Sequence, residues 1–280
     1  MKRLILVSAF IASNAFAVDT FNASNGQLTI PSVNVSGVIY NNVVVTVGNV
    51  LSVGASSVPN QTGEGLWTGT LNSGYTVNAL ILENGEYYTT IGQTSGSNFI
   101  VSAFDYGSYI TVGNVGQSYF REFYPNGTSN LGSGIGQVNT GVSLNGTVAL
   151  QGYNAVSLNL TPFTTSSYNY NQAANINDIA GSWSGYFFST SNLLTTFNIN
   201  SNGTFTGSAS TCTFTGTITP RPSGKNVFNS TITNGSGCIN PGLVQTGIAI
   251  SYITSTGKRQ LIASGLDSTK SIGNMYLAQR

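Results

Sequence analysis

The pentapeptide Gly65-Leu66-Trp67-Thr68-Gly69 returns later in the chain as Gly181-Ser182-Trp183-Ser184-Gly185, and each copy leads into the same succession of features. A strand-like stretch follows each Trp. Next comes an Asn-Gly pair, Asn84-Gly85 or Asn202-Gly203, and then a second stretch with Thr and aromatic residues, Glu86 to Thr90 or Thr204 to Thr206. Asn-Gly between alternating flanks is a strong hairpin signal, because a two-residue hairpin turn places both central residues at positive φ. Two hairpin units opened by one motif predict two related β-domains in tandem. Trp67 and Trp183 are read as structural: a large aromatic at the start of a domain plugs its core or its closed end.

Alternation of apolar and polar residues continues through most of the chain, bounded by Gly, Asn and Ser turns, and helical periodicity is nearly absent. The expected fold class is all-β: an N-terminal β-hairpin module over 18–58, then two small antiparallel β-barrel or sandwich domains over 63–165 and 180–280. One helical turn is expected, Ala173 to Ala180, in the connection between the two. The N-terminal module is too small to bury a core alone, so it must dock on the rest of the chain, on a partner or on a copy of itself. Barrel closure would explain how so many strands avoid open edges.

Residues 1–17 carry the marks of a signal peptide. Lys2 and Arg3 precede the apolar run Leu4 to Ala12, and Ala15-Phe16-Ala17 supplies small residues around a cleavage point. Export is expected, to the periplasm, the outer surface or the medium, with the mature chain beginning at Val18. Two cysteines in an exported chain are best read as one bridge, Cys212–Cys238, whose closed loop is worth about 3 kcal/mol by chain entropy. A metal site is the rival reading, but the chain has no His and no second thiol pair. Charged residues make up only 6% of the chain and the formal net charge is +1. Nothing in that balance recruits nucleic acid.

The same absence of His removes a Ser-His-Asp triad, a Cys-His pair and an imidazole base, so no catalytic residue and no cofactor is expected. Carboxylate pairs need separate weighing. Glu83 and Glu86 flank the Asn84-Gly85 tip, where a solvated turn is the plain reading. Asp105 and Glu122, within segments rich in Tyr and Phe, form the other pair to test. Gly132-Ser133-Gly134-Ile135-Gly136 superficially resembles a nucleotide loop but has no following helix or lysine, and reads as a glycine-rich turn or bulge between strands. The aromatic run Tyr119-Phe120-Arg121-Glu122-Phe123-Tyr124 is mostly core by alternation. Tyr119, Arg121 and Tyr124 are the candidate ligand-binding residues on it.

The segment from Cys212 through Thr219-Pro220-Arg221-Pro222-Ser223-Gly224 to Phe228, with Cys238, Pro241-Gly242, Thr246-Gly247 and Arg259-Gln260-Leu261, resembles a group of uncharacterised exported proteins of β-proteobacteria. Their pattern is similar to the compact barrels of transferrin-binding protein B and factor H-binding protein. That resemblance implies tandem barrels; it rests on strand pattern and spacing, so host-protein ligands do not come with it. The Gly-x-Trp motifs also resemble lipocalins, and this implies an arginine from the chain's end, Arg259 or Arg280, laid over Trp183. Domains near 100 residues are short for lipocalins, and no internal small-molecule cavity is expected from them.

The reading at this stage is a non-catalytic exported envelope or cell-surface protein that binds a protein or glycan ligand. One alternative is a structural protein that self-associates through strands over Val43 to Val53. The other is an outer-membrane β-barrel, for which the low charge speaks.

Overall fold

The computed structural model describes residues 20–22, 27–35, 38–46 and 61–280, apart from 96–97, 165–166 and 190–192. The signal region 1–17, and the Val47 to Val53 part of the stretch expected to self-associate, lie outside the described residues. At the N-terminus β1 (Thr20–Asn22), β2 (Gln27–Val35) and β3 (Val38–Thr46) form an antiparallel sheet of three strands. Ile30 stands opposite Val43 and Ser32 opposite Asn41.

Two closed eight-stranded barrels follow, which decides the expected choice between barrel and sandwich. The first comprises β4 (Gly65–Leu71), β5 (Thr76–Ile81), β6 (Glu86–Ser95), β7 (Asn98–Val112), β8 (Val115–Phe123), β9 (Ser129–Asn139), β10 (Ser143–Leu150) and β11 (Val156–Pro162). The second comprises β12 (Gly181–Phe187), β13 (Leu193–Ile199), β14 (Thr204–Ala209), β15 (Cys212–Pro220), β16 (Phe228–Asn234), β17 (Val244–Ile253), β18 (Arg259–Leu266) and β19 (Gly273–Gln279). Each strand pairs antiparallel with the next, and pairing of β11 with β4 and of β19 with β12 closes each ring. A 3-10 turn, Ile176–Asp178, is all that forms of the expected helical turn, capped by the Asn175 side chain accepting from the Asn177 N–H.

β15 shows how alternation builds the wall. Phe214 and Ile218 are buried inward, while Thr213, Thr215, Thr217 and Thr219 are exposed outward. β-branched residues suit such a pleated, half-wet surface. The hairpin tips differ from the expected form. Gly85 and Gly203 have φ of 81° and 83°, but their Asn neighbours do not enter the positive-φ region. The Gly85 N–H bonds back to the Leu82 carbonyl while the Leu82 N–H reaches the Glu86 carbonyl, and the Asn84 side chain accepts from the Glu86 N–H. A turn with one glycine in the left-handed region therefore replaces the two-residue hairpin, and the Asn acts through its side chain.

The Gly-x-Trp motif closes one end of each barrel by the same device. The Trp67 indole N–H donates to the Gly63 carbonyl and the Trp183 indole N–H to the Ile179 carbonyl, both at 2.7 Å. Gly65 and Gly181, with φ of 133° and 114°, let the chain double back so that the indole meets a carbonyl four residues earlier. Arg280 lies over the Trp183 ring at 4.5 Å from its centroid and donates to the Asp178 and Ala180 carbonyls. Of the two arginines expected there, the terminal one takes the position.

Residues Val58–Arg280 form one compact unit because the barrels share an apolar layer. Leu80, Leu82, Phe104 and Phe123 of the first barrel are in one buried cluster with Ile248, Ile250, Leu266 and Met275 of the second. Two ion pairs at 2.6 Å border it, Arg221–Glu83 and Lys225–Glu64. Glu83 is exposed at the turn, as expected from its place beside Asn84, and is also tied to the second barrel. Burial opposes its charge, but the Arg221 hydrogen bond and charge outweigh that and hold its carboxyl below the ordinary range. Glu86 accepts from the Tyr106 hydroxyl at 2.7 Å.

The Cys212–Cys238 bridge is present and joins the start of β15 to the β16–β17 connection, within the second barrel. The double variant Cys212→Ser, Cys238→Ser is expected to lose about 3 kcal/mol of unfolding free energy, measured by urea denaturation. Hydrogen exchange should quicken first in β15 to β17; an unchanged denaturation midpoint would contradict the staple role.

Candidate functional site: the interior of the first barrel

The barrels share a topology and differ in what fills them. In the second, Phe205, Phe214 and Tyr276 meet across the interior, with ring centroids 6.4 Å and 5.5 Å apart. Inward glycines make room for them: a Cβ on Gly207 would lie 2.4 Å from the Phe214 ring, and one on Gly216 would lie 2.5 Å from Phe205. The residual space there is about 30 Å³.

The first barrel holds a cavity of about 610 Å³. This corrects the expectation that domains of this length leave no internal space, because eight strands enclose the same width whatever the loop lengths. Much of the room comes from the wall formed by β9 and β10. Gly134 and Gly136 line it, and Gly136 is paired directly with Gly146. The glycine run Gly132 to Gly136 is thus not a turn or bulge but the middle of β9, in unbroken register with β8 and β10. Its glycines recur at period two on the inward face, and a Cβ on Gly136 would lie 2.4 Å from the Asn145 carbonyl oxygen.

Tyr109 lines the cavity, and its ring packs against Gly63 and Gly116. Burial pushes the Tyr109 phenol up to about 12. Phe120, Val138 and Leu144 make the deep walls apolar. At the opposite end Tyr75, Tyr124 and Tyr153 line the mouth, and Tyr153 is 69% exposed.

One polar row crosses the interior. Strand register places Thr89 of β6 beside Asp105 of β7, and Asp105 beside Glu122 of β8, all three lining the cavity. Asp105 is 6% exposed, and its Oδ1 has no hydrogen-bond partner among the described residues. Burial above all, and then the charge of Glu122, push the Asp105 carboxyl well above the usual range. Among the described residues no group of three or more His, Cys, Asp or Glu is placed to hold a metal ion.

The residues singled out from sequence do not converge. Tyr119 is 63% exposed on the outer wall, and Arg121, also outward, donates to the Ser129 hydroxyl at 3.0 Å. Tyr124 lines the cavity mouth, where burial and the neighbouring Glu122 raise its phenol above the ordinary range. Strand parity explains the split, since 119 and 121 share one face of β8 and Tyr124 lies past its end. Thr89 and the mouth tyrosines Tyr75 and Tyr153 went unmarked in the sequence.

No protein-family model and no curated protein matches this chain. Among solved structures it is similar to a DUF3598 family protein of unknown function from Nostoc punctiforme, at 13% identity and a TM-score of 0.24, covering 78% of this chain and 95% of that one. It is also similar to a mutant of the vaccine antigen Transferrin Binding Protein B from Haemophilus parasuis, at 9% identity and a TM-score of 0.26, covering 73% of this chain and 60% of that one. Overlaps this partial say nothing of a ligand.

Asp105 makes the stability of the fold depend on pH. With its folded-state pKa above the unfolded value, stability is greatest below the unfolded pKa and falls as pH rises toward the folded one. Asp105→Asn removes that loss. The variant should gain stability over the natural chain as pH rises from about 4, measured by thermal unfolding across pH, and a constant difference at all pH would contradict this.

Proposed function

We propose that this chain is an exported, non-catalytic binding protein whose ligand is a small, largely apolar molecule held inside the first barrel. The observation that carries it is the contrast between two barrels of one topology, one packed with aromatic rings and the other left open at about 610 Å³ behind a ring of tyrosines. That volume is in the range of small-ligand sites. The disulfide is consistent with an oxidising compartment. The non-catalytic reading is supported by the lack of His. Against an outer-membrane barrel stands the threonine-covered outer face of β15, which is unlike a lipid-facing band.

N-phenyl-1-naphthylamine, an apolar probe that fluoresces out of water, should bind the mature protein. Val148 lines the cavity, so Val148→Trp fills it and should weaken binding roughly tenfold or more, as expected where ligand volume is lost. Ser133→Trp, on the outer face of β9, should leave binding unchanged. Equal binding by both variants, or none by the natural chain, would overturn the container reading.

The outer wall favours a second reading, a protein or glycan partner. Around Tyr119 the faces of β7, β8 and β9 expose Ile110, Val112, Leu131 and Ile135 with Arg121 as a nearby charge. A pull-down with the mature chain should yield a partner that is lost with Tyr119→Ala plus Arg121→Ala. Retention of that partner by the double variant would remove this reading.

A further inference from the structure

The carboxyl pair in the first barrel lacks the cation that three other acids have. Glu64 is paired with Lys225, Glu83 with Arg221 and Asp178 with Arg259. Asp105 and Glu122 have no ion-pair partner among the described residues, and no Lys or Arg lines the cavity they face. A mostly apolar interior thus holds two acids side by side, with Asp105 Oδ1 and the neighbouring Thr89 Oγ1 both buried and unpartnered. Such a group costs stability until something donates to it.

We infer that the ligand of the first barrel is a cationic amphiphile, an alkyl or aryl ammonium whose charge sits against Asp105 and Glu122 and whose apolar body fills the cavity. This deepens the container reading and rests on it. The ammonium would donate to Asp105 Oδ1 and the Thr89 hydroxyl and supply the missing countercharge. Its body would lie against Phe120, Val138 and Leu144 in the deeper apolar part. At the mouth, Tyr75, Tyr124 and Tyr153 offer ring faces that attract a cation on its way in. An anionic amphiphile of the same shape meets like charge, and a neutral one can donate to Oδ1 but supplies no countercharge.

The test is calorimetric titration of the mature protein with decylamine, decanol and decanoate, which share one apolar body and differ in charge. Decylamine should bind roughly tenfold or more tighter than decanol, the gain expected of a charge-assisted hydrogen bond, and decanoate should bind weakest. Asp105→Asn and, independently, Glu122→Gln should erase the preference for decylamine while decanol binding persists, which also shows that the variants fold. Equal affinity for decylamine and decanol, or a preference untouched by both substitutions, would overturn the ammonium reading and leave the container intact. Failure of all three probes to bind would overturn both.

Discussion

An eight-stranded barrel encloses a width set by strand number and tilt, so its inward side chains decide whether it is a packed core or a container. This chain carries both outcomes on one topology. In the second barrel the inward glycines are covered by phenylalanine rings, Gly207 by Phe214 and Gly216 by Phe205, and the interior is dry core. In the first, Gly136 faces Gly146 across β9 and β10, and two small residues opposite one another leave the space unfilled. Closure comes from the same indole-to-carbonyl bond in both, so the difference lies in the walls and not in the plug.

The two barrels are also not independent. Phe104 stacks on Phe123 at 4.8 Å within the first and meets Phe188 from the second at 5.4 Å, and Arg221 reaches back to Glu83. An aromatic layer flanked by ion pairs holds the outward faces of β5, β6 and β7 and the Phe123 end of β8 against the second barrel, while Tyr119 of β8 and Leu131 and Ile135 of β9 stay exposed. A wall bearing inward glycines gives up buried contacts, and the shared layer offsets part of that loss.

Much of the architecture could be read from the residues. The Gly-x-Trp repeat, the alternation along β15 and the single pair of cysteines are local signals, and each leads to the structure by short-range chemistry. The hairpin tips were legible in place but not in form, since the Asn side chain bonds to the backbone two residues on and the glycine alone takes positive φ. The cation that Glu83 meets was not legible, because Arg221 lies far off in the sequence, in the other barrel.

What the sequence by itself determined is the β class, two tandem units, the disulfide and the absence of imidazole chemistry, since these depend on residue type and spacing along one strand or turn. Only the tertiary structure decided which barrel has room inside. Whether an inward glycine is covered depends on the residue opposite it on the next strand, and register across strands is set by closure of the ring. The same register brought Thr89, Asp105 and Glu122 into one row and turned Tyr119 and Arg121 to the outside.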